Sequence, residues 1–323
     1  MKTERLQIQN PHHLQRAGEL LRAGELVAVP TETVYGLAAD ATNPQAVLKI
    51  FQAKQRPVNH PLITHIASLE QLPRWVNHIP EWVIPLADAF WPGPLTLLFE
   101  RNPAASEVIT GGLRTIGIRM PAQPALLSLM RQFDLALAAP SANPYQRLSP
   151  TSAEQVLDGL DGKIAAVLDG GPCGVGTEST ILSVSEQRAE ILRSGPVSAE
   201  ALQAHLSVPV VTPEAHHEVV SGNKKVHYQP RAKVMLCDAE TLPALSATLG
   251  DDAGALVYSA QAQTLPLRHV MVMSNDHLGY RRDLYASLFA LDQAGIRYVL
   301  VEAPPRQVSW CDIWDRLSRA AAS

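Results

Sequence analysis

The sequence predicts an α/β protein in which a mixed twisted sheet forms a first domain and a smaller, doubly wound α/β fold forms a second. Three observations predict this class. Short apolar runs alternate with amphipathic helical patterns over the first two-thirds of the chain. The 323 residues exceed what one ordinary core needs. A second series of strand-like runs begins after a polar stretch near residue 208.

The first region opens with a helical pattern, HHLQRAGELLRAGE, and the strand-like run LVAV. The clearest helix is NPQAVLKIFQAKQRP, where Asn43 can cap the first turn, Pro44 fits its geometry and Pro57 stops the helix. Further strand-like runs are PLITHI, PLTLLFE, TIGIRMP, LALAAPSAN and AAVLDGG, with helical stretches between them. ESTILSV and AEILRSG are close enough to pair as a hairpin, which predicts a mixed sheet.

The character of the chain changes after residue 207. Residues 208–231 lack a sustained period and carry prolines and histidines, so we interpret them as a linker or lid between a domain over residues 1–207 and one over 232–323. The last segment contains the apolar runs KVMLCD, GALVYSA, HVMVMS and YVLVEAP and two helical patterns. This order is typical of a Rossmann-like doubly wound fold.

Composition and motifs exclude several classes. The net charge of −4 disfavours a long polyanion as ligand, and no apolar stretch approaches the roughly 20 residues of a membrane span. Three widely spaced cysteines suit a reducing, cytoplasmic location. No HExxH, paired-cysteine zinc spacing, GxSxG, dinucleotide fingerprint or Walker A pattern occurs.

Polar residues concentrate where strands end. Four stretches show this: PTETVYG at 30–36, KQR at 54–56, PSANPYQRLSPT at 140–151 and DGGPCGVGTEST at 169–180. Because the carboxyl ends of strands in open α/β sheets face the ligand crevice, we expect one composite site. Each stretch also has a purely structural interpretation: Lys54 and Arg56 suit a helix C-terminus, PSAN suits a turn, and His65 after PLIT suits a core histidine.

Taken together, these motifs resemble the threonylcarbamoyl-AMP synthase family in its long form with a YrdC-like domain. PTETVYGLAADA, KQRPVNHPLITHI, WPGPLTLLF, GGLRTIGIRMP, AAPSAN with LSPT, DGG with GTEST, and ILRSGP occur in the family's order, over roughly residues 10–200. HYQP resembles its linker motif, and VLVEAPP with DRLSRAA its C-terminal domain. "GTEST" and "ILRSG" depart slightly from the commoner family forms, and the C-terminal domain departs further.

The resemblance implies site residues. It implies Lys54 and Arg56 as catalytic cations. The implied ATP contacts are Arg56, His60, Thr115, Ser141, Asn143, Ser149, Arg193 and Tyr228. The implied L-threonine contacts are Thr33, His65, Arg119, the backbone at Ala139, and Ser179. A bidentate guanidinium suits a carboxylate, and hydroxyls suit the ammonium and hydroxyl groups of threonine, which would make PTETVYG one wall of an amino-acid pocket.

The resemblance also implies the reaction. Such enzymes join L-threonine, bicarbonate and ATP into threonylcarbamoyl-AMP with release of pyrophosphate, for modification of an adenosine in tRNA. The resemblance implies that Mg²⁺ accompanies ATP. The expected partners are the small-molecule substrates, with possible transient contacts to tRNA-modifying proteins, and no binding to a membrane is expected. The linker, with Tyr228, is expected to close over the nucleotide, since an acyl adenylate must be kept from water.

The sequence leaves two other hypotheses about function open. A double-stranded RNA-binding module would use a basic concavity, although the net charge opposes it. A carbamoyl-transfer enzyme with a YrdC-like domain would normally carry acylphosphatase-like and zinc-finger segments, which this sequence lacks.

Overall fold

The computed structural model describes residues 2–213, 218–222, 226–260 and 262–322. Contacts between Cα atoms divide the chain into two units. The first unit comprises Met1–Tyr145, Pro150–Gly174 and Glu178–Asn223, and the second comprises Gln146–Ser149, Val175–Thr177 and Lys224–Ser323. The second unit therefore includes two short stretches that precede residue 207, Gln146–Ser149 and Val175–Thr177. No local sequence pattern predicts that these residues group with the C-terminal part of the chain.

The described residues of the first unit form eleven strands. They are β1 (Glu4–Gln7), β2 (Val27–Val29), β3 (Gly36–Asp40), β4 (Ile63–His65), β5 (Leu95–Glu100), β6 (Thr115–Arg119), β7 (Leu137–Ala138), β8 (Ala166–Asp169), β9 (Thr180–Val184), β10 (Ala189–Arg193) and β11 (Val210–Val211). Their order in the sheet is β1-β8-β2-β3-β7-β4-β6-β5-β9-β10-β11. Parallel and antiparallel neighbours alternate irregularly, and β9 and β10 form the expected antiparallel hairpin. The predicted mixed sheet is confirmed.

Seven α-helices accompany these strands among the described residues of the first unit. They are α1 (Pro11–Arg22), α2 (Pro44–Lys54), α3 (Val83–Phe90), α4 (Glu107–Thr110), α5 (Pro124–Gln132), α6 (Ala153–Leu160) and α7 (Ala199–Gln203). Helix α2 begins as expected, because the side chain of Asn43 accepts hydrogen bonds from the backbone N–H groups of Gln45 and Ala46. It ends at Lys54, three residues before Pro57, and Gln55 caps it in the left-handed conformation with φ of 55°.

The second unit has a four-stranded parallel sheet. Its strands are β12 (Lys233–Cys237), β13 (Ala253–Val257), β14 (His269–Val272) and β15 (Tyr298–Glu302), in the order β12-β15-β13-β14. Its helices are α8 (Leu242–Leu249), α9 (His277–Gln293) and α10 (Cys311–Ala321). The all-parallel pairing confirms the smaller α/β fold that the apolar runs predict.

The predicted linker is only partly described. Within it, Val210–Val211 adds a parallel strand to β10, and Val220 packs with Leu98, Ile181 and Leu192 of the first unit. Lys224 and Lys225 of the linker motif lie outside the described residues. No helix in the described part of the chain is long and apolar enough to cross a lipid bilayer.

Candidate active site

Hydrogen bonds join the four polar stretches of the first unit. The hydroxyl of Tyr35, from PTETVYG, donates to the carbonyl of Gly171 (2.8 Å) and accepts from the N–H of Gly170 (3.0 Å). The backbone carbonyl of Tyr35 accepts from the N–H of Ala142 at 2.8 Å. Lys54 reaches the same loop, since its Nζ donates to the carbonyl of Ser141 at 2.5 Å. The stretches that the sequence singled out therefore meet in one place.

The loop after β2 is held by its own hydroxyls. Oγ1 of Thr31 donates to the carbonyl of Val34 at 2.6 Å and lies 2.9 Å from Oγ1 of Thr33. Both threonines are buried. These bonds replace the usual turn chemistry of Gly, Asn or Asp and fix the path of the loop around Glu32.

Arg119, the last residue of β6, is held by two groups that face it. Its Nε donates to the carbonyl of Gly93 at 3.1 Å, and its Nη2 donates to Oε1 of Glu32 at 2.5 Å. The other carboxylate oxygen of Glu32 accepts from the N–H of Ala122 at 2.8 Å. The side chains of Arg119 and Glu32 are only 5% and 15% exposed, so this ion pair is shielded from bulk water.

His65 stands beside Arg119. Strands β4 and β6 run parallel with His65 and Arg119 in register, so both residues end their strands at one edge and on one face of the sheet. Burial, with the neighbouring Arg119 cation, lowers the pKa of His65 to about 3, and the ring is neutral at physiological pH. Its Nδ1 is buried and makes no hydrogen bond to any residue that the structure describes. A neutral ring with an unused nitrogen can bind a ligand.

Lys54 and Arg56 lie at the end of α2 and are both buried. Nζ of Lys54 donates to the backbone carbonyls of Ser141 and Asn143. The lysine side chain therefore binds the loop after β7 rather than the carbonyl groups at the end of its own helix. Burial, and then the charge of Arg56, lowers the pKa of Lys54 well below its usual value. Arg56 donates from Nη2 to the carbonyl of Pro61 at 2.9 Å. The predicted Lys-x-Arg and Ser-x-Asn motifs are thus in contact, through main-chain carbonyls.

Ser179 and Arg193 form a second buried polar cluster. Oγ of Ser179 lies 2.8 Å from Oγ1 of Thr96 and accepts from Nη2 of Arg193 at 3.0 Å. The same guanidinium donates to the carbonyl of Ser179 from Nε (3.0 Å) and to the carbonyl of Ser221 from Nη1 (2.9 Å). Arg193 therefore ties the end of β10 to a residue of the predicted linker.

A pocket lies over the face of the sheet that includes Ile63 of β4 and Thr115 of β6. It encloses about 290 Å³ of space, open solvent included, above residues of β4, β5, β6 and β9. Thr115 contributes to its floor, and Val219, Val220 and Ser221 contribute to its wall. The described linker residues thus cover part of the face that carries one predicted nucleotide contact.

The remaining predicted residues differ in their surroundings. Nδ1 of His60 lies 3.1 Å from the hydroxyl of Tyr145. The N–H of Ala139 donates to the carbonyl of Ile63 at 3.1 Å, which leaves its carbonyl as the group that a ligand would meet. Ser149 and Tyr228 belong to the second unit, where Tyr228 is buried, stacks on Tyr285 at 5.8 Å and lies below the guanidinium of Arg316. Their nucleotide contacts stay predictions.

Sequence reasoning assigned no role to Glu32, Tyr35 or Cys173. Glu32 was visible as the only carboxylate in PTETVYG, and its contact with Arg119 spans 87 positions of sequence, which no local pattern predicts. Cys173 lies in DGGPCG, and burial together with the negative charge of Glu32 raises the pKa of its thiol to about 12. That thiol is therefore protonated and unreactive at neutral pH.

Comparison with known proteins identifies the family of this chain. A family model described as "Telomere recombination" matches residues 19–195, and one described as "Threonylcarbamoyl-AMP synthase, C-terminal domain" matches residues 197–322. The threonylcarbamoyl-AMP synthase of Bacillus subtilis (strain 168) is 37% identical over 337 residues, which cover 99% of this chain and 95% of the relative. The Schizosaccharomyces pombe synthase is 36% identical, with 96% and 88% covered.

A solved structure gives the same result over the whole fold. The crystal structure of P. abyssi Sua5 complexed with L-threonine superimposes with a TM-score of 0.91 and 32% sequence identity, covering 99% of this chain and 98% of that one. The resemblance drawn from the motifs is confirmed. This chain belongs to the threonylcarbamoyl-AMP synthase family.

Proposed function

We propose that this protein is an L-threonylcarbamoyladenylate synthase, which forms threonylcarbamoyl-AMP from L-threonine, bicarbonate and ATP, releases pyrophosphate and supplies tRNA modification. One observation supports the proposal beyond family membership: hydrogen bonds join the four polar stretches, and one of these stretches holds a buried arginine through Glu32, beside a neutral histidine. The relative whose structure holds L-threonine supports the substrate.

In this proposal the amino-acid half of the site is formed by Arg119, His65, Thr33, Ser179 and the backbone at Ala139. A guanidinium fork at the end of β6 matches a carboxylate. The neutral His65 offers an unused nitrogen for a polar hydrogen of the ligand. Short hydroxyls nearby suit the small, polar side chain of threonine.

The nucleotide half of the site in this proposal lies in the first unit and comprises Arg56, His60, Thr115, Ser141, Asn143 and Arg193, and Lys54 fixes its central loop. The nucleotide contacts of Ser149 and Tyr228 of the second unit stay predictions. Arg56 suits a phosphate oxygen, and positive charge stabilises the developing negative charge on the triphosphate. The described residues contain no group of three or more His, Cys, Asp or Glu that could hold a metal ion. In this proposal Mg²⁺ would be held chiefly by the triphosphate and water, which is its usual mode with nucleotides, and would neutralise phosphate charge.

The chemistry requires positioning rather than an enzyme nucleophile. The threonine ammonium loses a proton, and the amine nitrogen forms a bond to the carbon of CO₂ derived from bicarbonate, with loss of the second proton from nitrogen. A carbamate oxygen then bonds to the α-phosphorus of ATP as the bond to the bridging oxygen of pyrophosphate breaks. Holding both substrates at one sheet edge supplies the proximity that these steps need.

The linker acts as a lid over the nucleotide in this proposal. Support comes from the described residues Val219–Ser221, which line the pocket beside Thr115, and from the bond between Arg193 and the Ser221 carbonyl. A closed site protects the adenylate from hydrolysis. We also place the reaction in the cytoplasm, where tRNA is modified, with transient contacts to tRNA-modifying proteins.

The decisive experiment measures pyrophosphate release. Release should require L-threonine and bicarbonate together, because the carbamate must form before it attacks ATP. L-Serine should react more slowly, since the loss of one methyl group costs about 1–3 kcal/mol in a close-fitting pocket. Equal turnover with unrelated amino acids, or ATP use that ignores amino acids, would contradict the assignment, and steeply salt-dependent binding of double-stranded RNA would favour the RNA-binding alternative.

The lid is tested separately in the full chain. Val220→Ser should loosen the contact with Leu98 and Ile181, and we expect less intact adenylate per pyrophosphate released. Chromatography of the adenylate against pyrophosphate measures the ratio, and Val308→Ser, at an exposed position of the second unit, is the control. An unchanged ratio would make residues 218–222 a passive connection.

A further inference from the structure

Glu32 is the more exposed member of the ion pair at the candidate amino-acid site. Its side chain is 15% exposed and that of Arg119 is 5% exposed. Oε1 faces Nη2 of Arg119 at 2.5 Å, and Oε2 faces the N–H of Ala122 at 2.8 Å. A carboxylate has about four acceptor positions, so these two bonds leave capacity for a further donor.

Both members of the pair are fixed before any ligand binds. The loop that carries Glu32 is held by Thr31, and Tyr35 ties it to Gly170 and Gly171. Nε of Arg119 is bound to the carbonyl of Gly93. A charged pair held by independent contacts can receive a ligand without reorganising, which is what a selective site needs.

The charges of the pair limit which ligands it attracts. Glu32 largely cancels the charge of Arg119, so a simple carboxylate gains little attraction and meets a like charge beside its partner. A free α-amino acid carries an ammonium and a carboxylate on the same carbon. It can give one group to each member of the pair, so that neither buried charge is left uncompensated.

On the basis of the proposed function, we propose that Glu32 binds the ammonium group of the amino-acid substrate while Arg119 binds its carboxylate. Glu32 is then a specificity-determining residue that selects a zwitterion over a hydroxy acid. His65, with its unused Nδ1 on the same face, is left to receive another polar hydrogen of the ligand.

The test is calorimetric titration of the full chain with two ligands, L-threonine and (R)-3-hydroxybutanoate, which lacks only the amino group. The wild-type protein should bind L-threonine at least tenfold more tightly. In Glu32→Gln, L-threonine binding should weaken by about 10- to 100-fold through loss of a charge-assisted bond. Binding of (R)-3-hydroxybutanoate should stay unchanged or tighten, because Arg119 no longer shares its charge.

The control is Glu4→Gln, which removes a carboxylate from an exposed ion pair with Arg16 on the edge strand β1 and should change neither affinity. Equal weakening of both ligands in Glu32→Gln would mean that Glu32 only holds Arg119 in place, and would overturn the inference alone. Tight binding of (R)-3-hydroxybutanoate by the wild-type protein would overturn it without any variant. A wild-type protein that binds no L-threonine would overturn the proposed function and this inference together.

Discussion

Each unit of the molecule contains a largely buried arginine–carboxylate pair, and the two pairs differ in what surrounds them. In the first unit, Arg119 ends a strand and Glu32 lies in a loop, and Nδ1 of His65, the residue beside Arg119, makes no hydrogen bond to a described residue. In the second unit, Arg281 of α9 donates to both oxygens of Asp312 of α10, from Nε at 2.6 Å and from Nη2 at 3.3 Å. Oγ1 of Thr177 donates to the same carboxylate.

The comparison separates a structural pair from a pair poised for a ligand. The pair of the second unit joins two helices, and its carboxylate already accepts three donors. The pair of the first unit lies where strands end, which is the edge that binds ligands in α/β folds. Similar burial thus accompanies different roles, and the local donors and acceptors distinguish them.

The largest effect is expected from breaking the helix pair. Arg281→Met leaves Asp312 buried without its cation, which should lower the free energy of unfolding by about 3–5 kcal/mol. Urea unfolding measures this loss. Arg281→Met with Asp312→Leu is the matched control and should recover most of it, because no uncompensated charge remains. L-Threonine affinity should not change in the double variant. A loss of L-threonine affinity in a double variant of normal stability would mean that the Arg281–Asp312 pair is not purely structural.

The next effect concerns ligands. Arg119→Ala should weaken L-threonine binding and Arg56→Ala should weaken ATP binding, each by about 1.5–3 kcal/mol for a charge-assisted hydrogen bond. Calorimetric titration of each variant with each ligand gives the four affinities. If both variants lost stability yet bound both ligands as the wild type does, the two arginines would be structural cations.

A pH-dependent effect is expected at His65. Its pKa is about 3 in the folded protein and about 6.5 when unfolded, so only the unfolded chain takes up its proton between these values. The unfolding free energy should therefore fall as pH falls from 6.5 towards 3, by up to about 1.4 kcal/mol per pH unit from this residue. In His65→Asn this contribution disappears, so the stability gap to the wild type should narrow in acid. Urea unfolding between pH 8 and pH 4 tests it, and a constant gap would contradict the buried, neutral histidine.

The smallest effect is expected at the start of α2, at the opposite end from Lys54. Asn43→Ala removes the side-chain cap on Gln45 and Ala46 and should cost about 1 kcal/mol of stability. Thermal unfolding measures the loss, and ligand affinities should stay as in the wild type. A large loss of ATP affinity would show that the helix places Lys54 less firmly than its bonds to Ser141 and Asn143 indicate.

Much of the fold follows from local patterns. Asn43 and Pro44 begin α2 as expected, and the apolar runs from LVAV to YVLVEAP correspond to strands, because burying such runs in a sheet is the main local driving force. Strands β1, β3 and β11 were not predicted. They are short or lie inside motifs. Strand β1 pairs with β8, for example Glu4 with Ala166, and β11 pairs with β10, for example Val210 with Ala189, so both pairings join residues distant in sequence.

The sequence by itself determined the alternation of strands and helices, the capping of α2, the polar stretches after the strands and the family to which they belong. Tertiary structure alone decided which atoms meet. Lys54 binds the carbonyls of Ser141 and Asn143, Glu32 pairs with Arg119, and residues 146–149 join the second unit. These contacts arise from the order of strands in the sheet, and hydrophobic periodicity specifies which face of a strand is buried but not which strand lies beside it.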